Sequence, residues 1–323
     1  MKMFRKREGF LVAINQKPRR FTRSPYFHEQ FMEEARRQGK SVVFWERARN
    51  PSLVFVNDWT VDFARLEAYR KSGIKIVLRI DGAGIKDSRN PRKDNIIYQT
   101  SEFCDALIFQ SEFCKEIWQR SFGLNKPNYI ILNGADQRVF SRYGPKTDFG
   151  FKRMIVTAAR WRQWKGLDQV IEVFLKLKRE DTGLVVMGDD SKVPAHPSIK
   201  ATGKLAHSEM AKIFRKADLF LYLPWQDWCP KVVAQALVSG LPVVCSYRGG
   251  TKELVQDCGI IVHGAKDDDL EDFGPNPVNL DEAVNAVNSL LEKGERCRER
   301  QDLYLSTMVT RYFEVFEKVL EQN

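Results

Sequence analysis

The sequence predicts an α/β fold in two domains, each a parallel sheet whose strands are joined by helices. Two observations carry this expectation. Short apolar runs alternate with longer helical stretches along most of the chain, the pattern of strand–helix–strand units with buried strands. The alternation breaks once, at Ser141–Lys152 (SRYGPKTDFGFK), where Gly, Pro and charge replace any apolar period, and it then starts again. The 323 residues suffice for two domains of about 150 residues each. The boundaries expected are 1–145 for the first domain, 146–300 for the second, and 301–323 for a C-terminal helix.

In the first half, Gly9–Asn15 (GFLVAIN) reads as a strand, followed by a basic loop and a helix from about Tyr26 to Gln38 that Gly39 closes. Ser41–Trp45 and Leu53–Val56 are the next strands; the latter runs into Asn57-Asp58-Trp59 and a helix ending near Lys71, before Gly73. Lys75–Ile80 is a strand that stops at Asp81-Gly82. Ala106–Gln110 is another, with Ser111 suited to cap the helix after it. Tyr129–Leu132 is the sixth, ending in Asn133-Gly134-Ala135-Asp136.

The second series has strands at Met154–Ala158, Leu184–Met187, Ile199–Thr202, Leu219–Leu223, Val243–Ser246 and Ile260–Val262. Its helices fall near Leu167–Arg179, Ser208–Ala217, Lys231–Val238 and Leu280–Leu291. Pro230 suits a first helical turn, where its missing N–H costs nothing, and Gly240 with Pro242 ends that helix. The last helix, Arg300–Leu320, spaces Leu303, Val309, Tyr312, Phe313, Phe316 and Leu320 as a core-packing stripe.

Composition excludes several classes. An apolar fraction of 43% and a charged fraction of 29% are those of a globular protein. No apolar run reaches the roughly 20 residues that a membrane-spanning helix needs, and the N-terminal apolar stretch is too short for a signal peptide. Six cysteines show no CxxC spacing and are expected to be reduced thiols of a cytoplasmic protein. The four histidines form no HxxH or HxxxH pair, and Asp267-Asp268-Asp269 reads as a solvated loop, so no metal is expected. The net charge is +10, of which +8 lies between Met1 and Arg49. Such a patch suits an anionic membrane surface or an acidic substrate, and equally a solvated face with no partner. No zinc-finger or RNA-recognition spacing supports nucleic acid.

The most informative stretch is Asp227–Val255, DWCPKVVAQALVSGLPVVCSYRGGTKELV. Asp227 follows the apolar run LFLYL, so it stands at a strand end. Lys231 and Val232 open the next helix, whose N-terminal N–H groups favour an anion or a sugar oxygen. Gly249 and Gly250 let the backbone come close to a ligand. Upstream, TAARWRQWKGLD places Arg160 at the end of a strand and Lys165 five positions on. Two fixed cations there can grip one diphosphate, Arg as a planar fork of donors and Lys as a point charge. A surface ion pair is the plain alternative.

These motifs resemble those of retaining glycosyltransferases of the GT-B fold, sequence family 4. That family has an acidic residue, seven intervening residues and a second acid, then small-Gly-Leu-Pro-Val-Val and Gly-Gly-x-x-Glu. It also has Arg-x4-Lys-Gly upstream. Asp227 and Gln235 hold the two acid positions here, with SGLPVV at Ser239–Val244 and GGTKE at Gly249–Glu253. RIDG, DALIFQSEF and NGAD match landmarks of the family's first domain. The resemblance implies two Rossmann-like domains whose sheets face across a cleft, with a C-terminal helix that crosses back to the first.

It also implies a function. A nucleoside-diphosphate sugar binds the second domain, an acceptor binds the first, and the anomeric configuration is kept. No cofactor is implied beyond the donor substrate, and no metal. Arg160 and Lys165 take the leaving diphosphate. Asp227 orients the donor sugar, and Asp81 faces the sugar or the acceptor, although an Asp before Gly is also ordinary turn chemistry. Gly188, Lys204 and Leu205 line the base pocket. The backbone N–H groups of Lys231 and Val232 meet phosphate or sugar oxygens, and Gly250 lets the backbone approach the ligand; Cys229 is counted with the substrate-binding residues, as a small packing residue and not a nucleophile, since nothing near it in sequence acts as its base. The acceptor, whether a glycan, a lipid-linked molecule or a small molecule, is not named by any residue. The sequence departs from the family at Gln235, where the second acid is expected to bind the ribose hydroxyls. That departure keeps a rival open: a nucleotide- or sugar-binding protein that has kept the fold without catalysis.

Overall fold

The computed structural model describes residues 9–15, 27–57, 59–84, 91–189, 192–270 and 272–322. The basic residues Arg19, Arg20 and Arg23, and Asp58, lie outside them. The chain forms two compact units: Met1–Ile131 with Met308–Asn323, and Leu132–Thr307.

The first unit is built from β1 (Leu11–Ile14), α1 (Phe27–Arg37), β2 (Ser41–Phe44), β3 (Leu53–Val56), α2 (Phe63–Lys71), β4 (Lys75–Ile80), α3 (Pro91–Glu102), β5 (Ala106–Phe109), α4 (Glu112–Phe122) and β6 (Asn128–Ile130). All six strands are parallel, in the order β2-β1-β3-β4-β5-β6. The apolar runs form strands because they are covered on both faces; β3 and β5 are buried along their whole length. Ser111 caps α4 through Cys114 N–H at 3.0 Å, as its position predicts. Helix α3 was not expected. Its sequence, PRKDNIIYQTSE, offers two adjacent isoleucines and no apolar period, so only its packing in the unit makes it helical.

The second unit contains β7 (Arg153–Ala159), α5 (Leu167–Lys176), β8 (Thr182–Gly188), β9 (Ile199–Ala201), α6 (His207–Lys216), β10 (Leu219–Tyr222), α7 (Lys231–Val238), β11 (Val243–Ser246), α8 (Thr251–Val255), β12 (Gly259–Val262) and α9 (Leu280–Lys293). Its parallel strands run β12-β11-β10-β7-β8-β9, the doubly wound order of a Rossmann sheet. Ser141–Lys152 belongs to this unit, where buried Arg215 donates to the carbonyls of Val139, Ser141 and Pro145 at 2.7, 2.9 and 3.2 Å.

The last helix, α10 (Leu305–Glu321), begins in the second unit and continues in the first. Its aromatic stripe packs against first-unit rings, with Phe313 stacked on Phe31 at 6.1 Å and Phe316 against Phe55 at 5.2 Å.

Two sequence expectations are corrected. Cys258 and Cys297 form a disulfide, with Cα atoms 5.2 Å apart, so the six cysteines are not all reduced thiols. Their separation of 39 residues gives no local signal. The fold brings them together, because Cys297 N–H donates to Gly240 O at 3.0 Å and so lays its segment beside the start of β12. Asp267 is not solvated either. It accepts from Gly264 N–H and Asn276 Nδ2, both at 2.9 Å, and pins its own loop.

Alkylation of the denatured, unreduced protein is therefore expected to label four thiols (Cys104, Cys114, Cys229 and Cys245), not six. Replacing Cys258 and Cys297 together by Ser should lower the unfolding free energy by about 2–4 kcal/mol in denaturant titrations, through the freed loop.

Candidate active site

In a doubly wound sheet a crevice opens at the carboxyl ends of the strands where their order reverses. In the second unit that point lies between β7 and β10. The loop after β7 carries Arg160 and Lys165, and the loop after β10 carries Asp227, so the topology alone brings these three to one edge.

The two loops are locked together. Lys165 closes a single 3₁₀ turn, Gln163–Lys165, and Gly166 follows with φ 69°. A Cβ at Gly166 would stand 1.8 Å from the carbonyl oxygen of Leu223, the residue after β10. Glycine is required on both counts, by the left-handed backbone and by the contact. Gln169 Nε2 donates to the same carbonyl at 3.1 Å, and Trp225 N–H donates to Trp164 O at 2.9 Å.

Lys165 ion-pairs with Asp227 Oδ2 and lies 3.2 Å from the Tyr222 hydroxyl, which donates to the same carboxylate oxygen at 2.6 Å. Trp228 N–H holds Oδ1 at 2.8 Å. Asp227 is itself fixed by the glycine pair: Gly250 N–H donates to its carbonyl at 2.8 Å, and a Cβ at Gly249 would sit 2.5 Å from that oxygen. Tyr222 is 1% exposed. Burial, then the charge of Asp227, pushes its hydroxyl well above the ordinary tyrosine range, so it stays protonated.

Arg160, one residue past β7, is exposed and makes no ion pair among the described residues. At the same edge, Gly188 ends β8 with φ 124° and passes too close to Ala159 O for any Cβ, and Gly188 N–H donates to Gly203 O at 2.9 Å. Lys204 is exposed just beyond, while Leu205 packs on the core.

Helix α7 begins after Pro230 with no side-chain cap. Lys231 and Gln235 are one turn apart on the same helical face. Gln235 is buried, at 7% exposed, and its amide makes no hydrogen bond to a described residue. A solvent-facing glutamine would be far more exposed. Cys229 is a packing residue: its sulfur accepts from Asn133 N–H at 3.3 Å and its carbonyl from Asn133 Nδ2 at 2.7 Å, which docks the NGAD loop on this motif. Val232 packs against the core beside it.

Asp81 stands at the end of β4 in the first unit. Its carboxylate is half exposed but ion-paired to Arg79, whose side chain is only 2% exposed. Arg79 also donates to the Tyr312 hydroxyl at 2.9 Å and to Asn57 Oδ1 at 3.3 Å, and stacks its guanidinium 4.0 Å above Phe27. Asp81 is thus held by a buried cation and is more than a turn former.

The sequence reading missed Tyr222, Arg79 and Arg248. Tyr222 could have been flagged as the one polar-ended residue in the run LFLYL. Arg248, 1% exposed, donates to the carbonyls of Asp269 and Asp272 and ties the acidic loop to the glycine pair; burial lowers its pKa. Nothing local distinguishes Arg248 from a surface arginine. Among the described residues no group of three or more His, Cys, Asp or Glu side chains is arranged to hold a metal ion, and no helix is long and apolar enough to cross a membrane.

The fold is that of the GT-B proteins. The HepE protein of Anabaena, solved with UDP, superposes with a TM-score of 0.71 at 12% identity, covering 96% of this chain and all of that one. Sucrose-phosphate synthase from Thermosynechococcus elongatus superposes with a TM-score of 0.64 at 13% identity, over 92% of this chain and 78% of that one. Residues 152–273 match the model of the family described as glycosyl transferases group 1. N-acetyl-alpha-D-glucosaminyl L-malate synthase of Bacillus anthracis is 24% identical over 275 residues, which are 75% of this chain and 68% of that protein. The likeness to the group 1 glycosyltransferases thus lies in residues 152–273 of the second unit.

Gly166→Ala should destabilise the second unit by more than about 2 kcal/mol, since it combines left-handed strain with a backbone clash. Chemical denaturation checks this. A neutral result would show that the loops after β7 and β10 are not held together at this point.

Proposed function

We propose that this chain is a retaining glycosyltransferase that moves a sugar from a nucleoside-diphosphate sugar to an acceptor, without a metal ion. The observation that carries the proposal is the placing of two cations, exposed Arg160 and carboxylate-paired Lys165, on the one loop that follows β7 at the switch point of the second sheet. As the bond to the anomeric carbon breaks, the leaving diphosphate gains negative charge. Cations within reach of that place stabilise it. They also supply the charge that a metal would otherwise bring, and this supports metal independence.

In this reading the diphosphate draws the Lys165 ammonium, and the Asp227 carboxylate accepts from the sugar hydroxyls. The N-terminal turn of α7 meets phosphate or sugar oxygens, and Gln235 meets the ribose. Gly188, Lys204 and Leu205 border the base. Asp81, held by Arg79, serves the sugar or the acceptor from the first unit. The related HepE structures hold UDP, UDP-glucose, or UDP with glucose, which makes a uridine nucleotide the first donor to try. Retention of configuration is proposed from the family resemblance of the motifs.

Changing Arg160 or Lys165 to Ala should each cut release of nucleotide from the donor by at least about tenfold, since a charged contact to a developing anion is worth roughly 2–4 kcal/mol. Near-normal turnover in the double variant would overturn the diphosphate assignment. Tight binding with no turnover of any donor, an acceptor extract present, would favour the non-catalytic binder that Gln235 suggests.

Gln235 has its own test. A carboxylate accepts from both ribose hydroxyls, whereas an amide accepts from one and donates to the other. Gln235→Glu should keep or tighten nucleoside-diphosphate binding in calorimetry, by about 1 kcal/mol at most, and Gln235→Ala should weaken it several-fold. Unchanged affinity in both variants would show that the residue does not touch the nucleotide.

A further inference from the structure

We propose that Tyr222 is a positioning residue of the donor site: its hydroxyl holds the Asp227 carboxylate in place when Lys165 turns to the diphosphate. The inference rests on the glycosyl-transfer reading above and adds to it a residue that no motif marks.

The geometry forces the direction of each hydrogen bond. A carboxylate can only accept and an ammonium can only donate. The hydroxyl between them therefore donates to Asp227 Oδ2, at 2.6 Å, and accepts from Lys165 Nζ, at 3.2 Å. Asp227 has three partners within the chain: Lys165 and Tyr222 on Oδ2, and Trp228 N–H on Oδ1. Lys165 is the one whose flexible stem lets it move to a phosphate. Once it does, Asp227 is a buried carboxylate, 9% exposed, without its cation. Such a group is costly unless the remaining hydrogen bonds are kept.

Tyr222 supplies one of them and cannot drift. Its ring is packed in the main core of the unit, stacked 6.0 Å from Phe220. Burial and Asp227 also favour its protonated form, by pushing the hydroxyl well above the ordinary tyrosine range. A second consequence follows for Lys165. When the ammonium leaves, the hydroxyl oxygen loses a donor but keeps its own acceptor, so the carboxylate keeps its aim. Tyr222 thus separates two tasks at one carboxylate: Lys165 is released to the leaving group while Asp227 stays with the sugar.

The test compares Tyr222→Phe, Asp227→Asn and the double variant with the wild type. Calorimetry is run with UDP, GDP and ADP and with their glucose and N-acetylglucosamine conjugates; hydrolysis of the tightest conjugate gives kcat and KM. Tyr222→Phe keeps the ring, so melting should change little. It should bind the nucleoside diphosphate within about twofold of wild type, yet lose about fivefold in affinity for the sugar conjugate or in kcat, the value of one hydrogen bond. The double variant should be no worse than Asp227→Asn alone, because Tyr222 acts through Asp227. Equal losses for diphosphate and conjugate, or additive losses in the double variant, would overturn the inference. So would wild-type behaviour of Tyr222→Phe in a protein that binds the conjugate. Failure of the wild type to bind any nucleotide would instead overturn the glycosyl-transfer reading, and this inference with it.

Discussion

The approach of the loop after β7 to the end of β10 is the constraint on which the rest of the site depends. It is possible only because residue 166 has no side chain: any Cβ would overlap the carbonyl of Leu223. That contact brings Lys165 within reach of a carboxylate that arrives on a different loop, 62 residues later. The same carboxylate is fixed from a third side by Gly249 and Gly250, whose backbone leans on that of Asp227. Three loops at one sheet edge thus meet through glycines, and the charged side chains are placed by backbone contact instead of by their own flexible stems. Backbone contact of this kind sets where a charged side chain starts before any ligand arrives.

The first unit solves a related problem differently. Asp81 is exposed, and its anchor is a buried arginine surrounded by Asn57, Tyr312 and the face of Phe27. A buried guanidinium is tolerated because it is paired with a carboxylate, hydrogen-bonded to Tyr312 and Asn57, and stacked on a ring. Tyr312 comes from α10, so the last helix contributes both to the aromatic core and to the support of this carboxylate. In both units a buried tyrosine hydroxyl supports the charged group that the sequence motif advertises.

What could be read in the sequence were features with a local cause. Val243–Ser246, Leu53–Val56 and Lys75–Ile80 are strands because each is a short apolar run between turn residues, and the structure gives the same bounds. The Ser111 cap depends on one or two residues and appears as expected, and α7 has the expected bounds, although Pro230 stands at its N-cap with extended backbone and not inside its first turn. Asp227, Lys165 and Gly249 were marked by spacing, because each sits at a fixed distance from a strand end. Helix α3 escaped because its apolar content is too low to show a period, and the solvated reading of Asp267 failed because its partners lie three and nine residues away in a folded loop.

The sequence by itself determined the α/β class, the two series of strands, and the presence of cations and a carboxylate at strand ends, since these follow from apolar periodicity and turn chemistry within a few residues. Only the tertiary structure decided which of them meet. Strand order sets the switch point between β7 and β10, and nothing within either strand encodes that they are neighbours. The Lys165–Tyr222–Asp227 cluster, the Arg79–Asp81 pair and the Cys258–Cys297 bond all depend on such placement. Each joins groups by distance and burial, which are properties of the packed chain and of no segment of it.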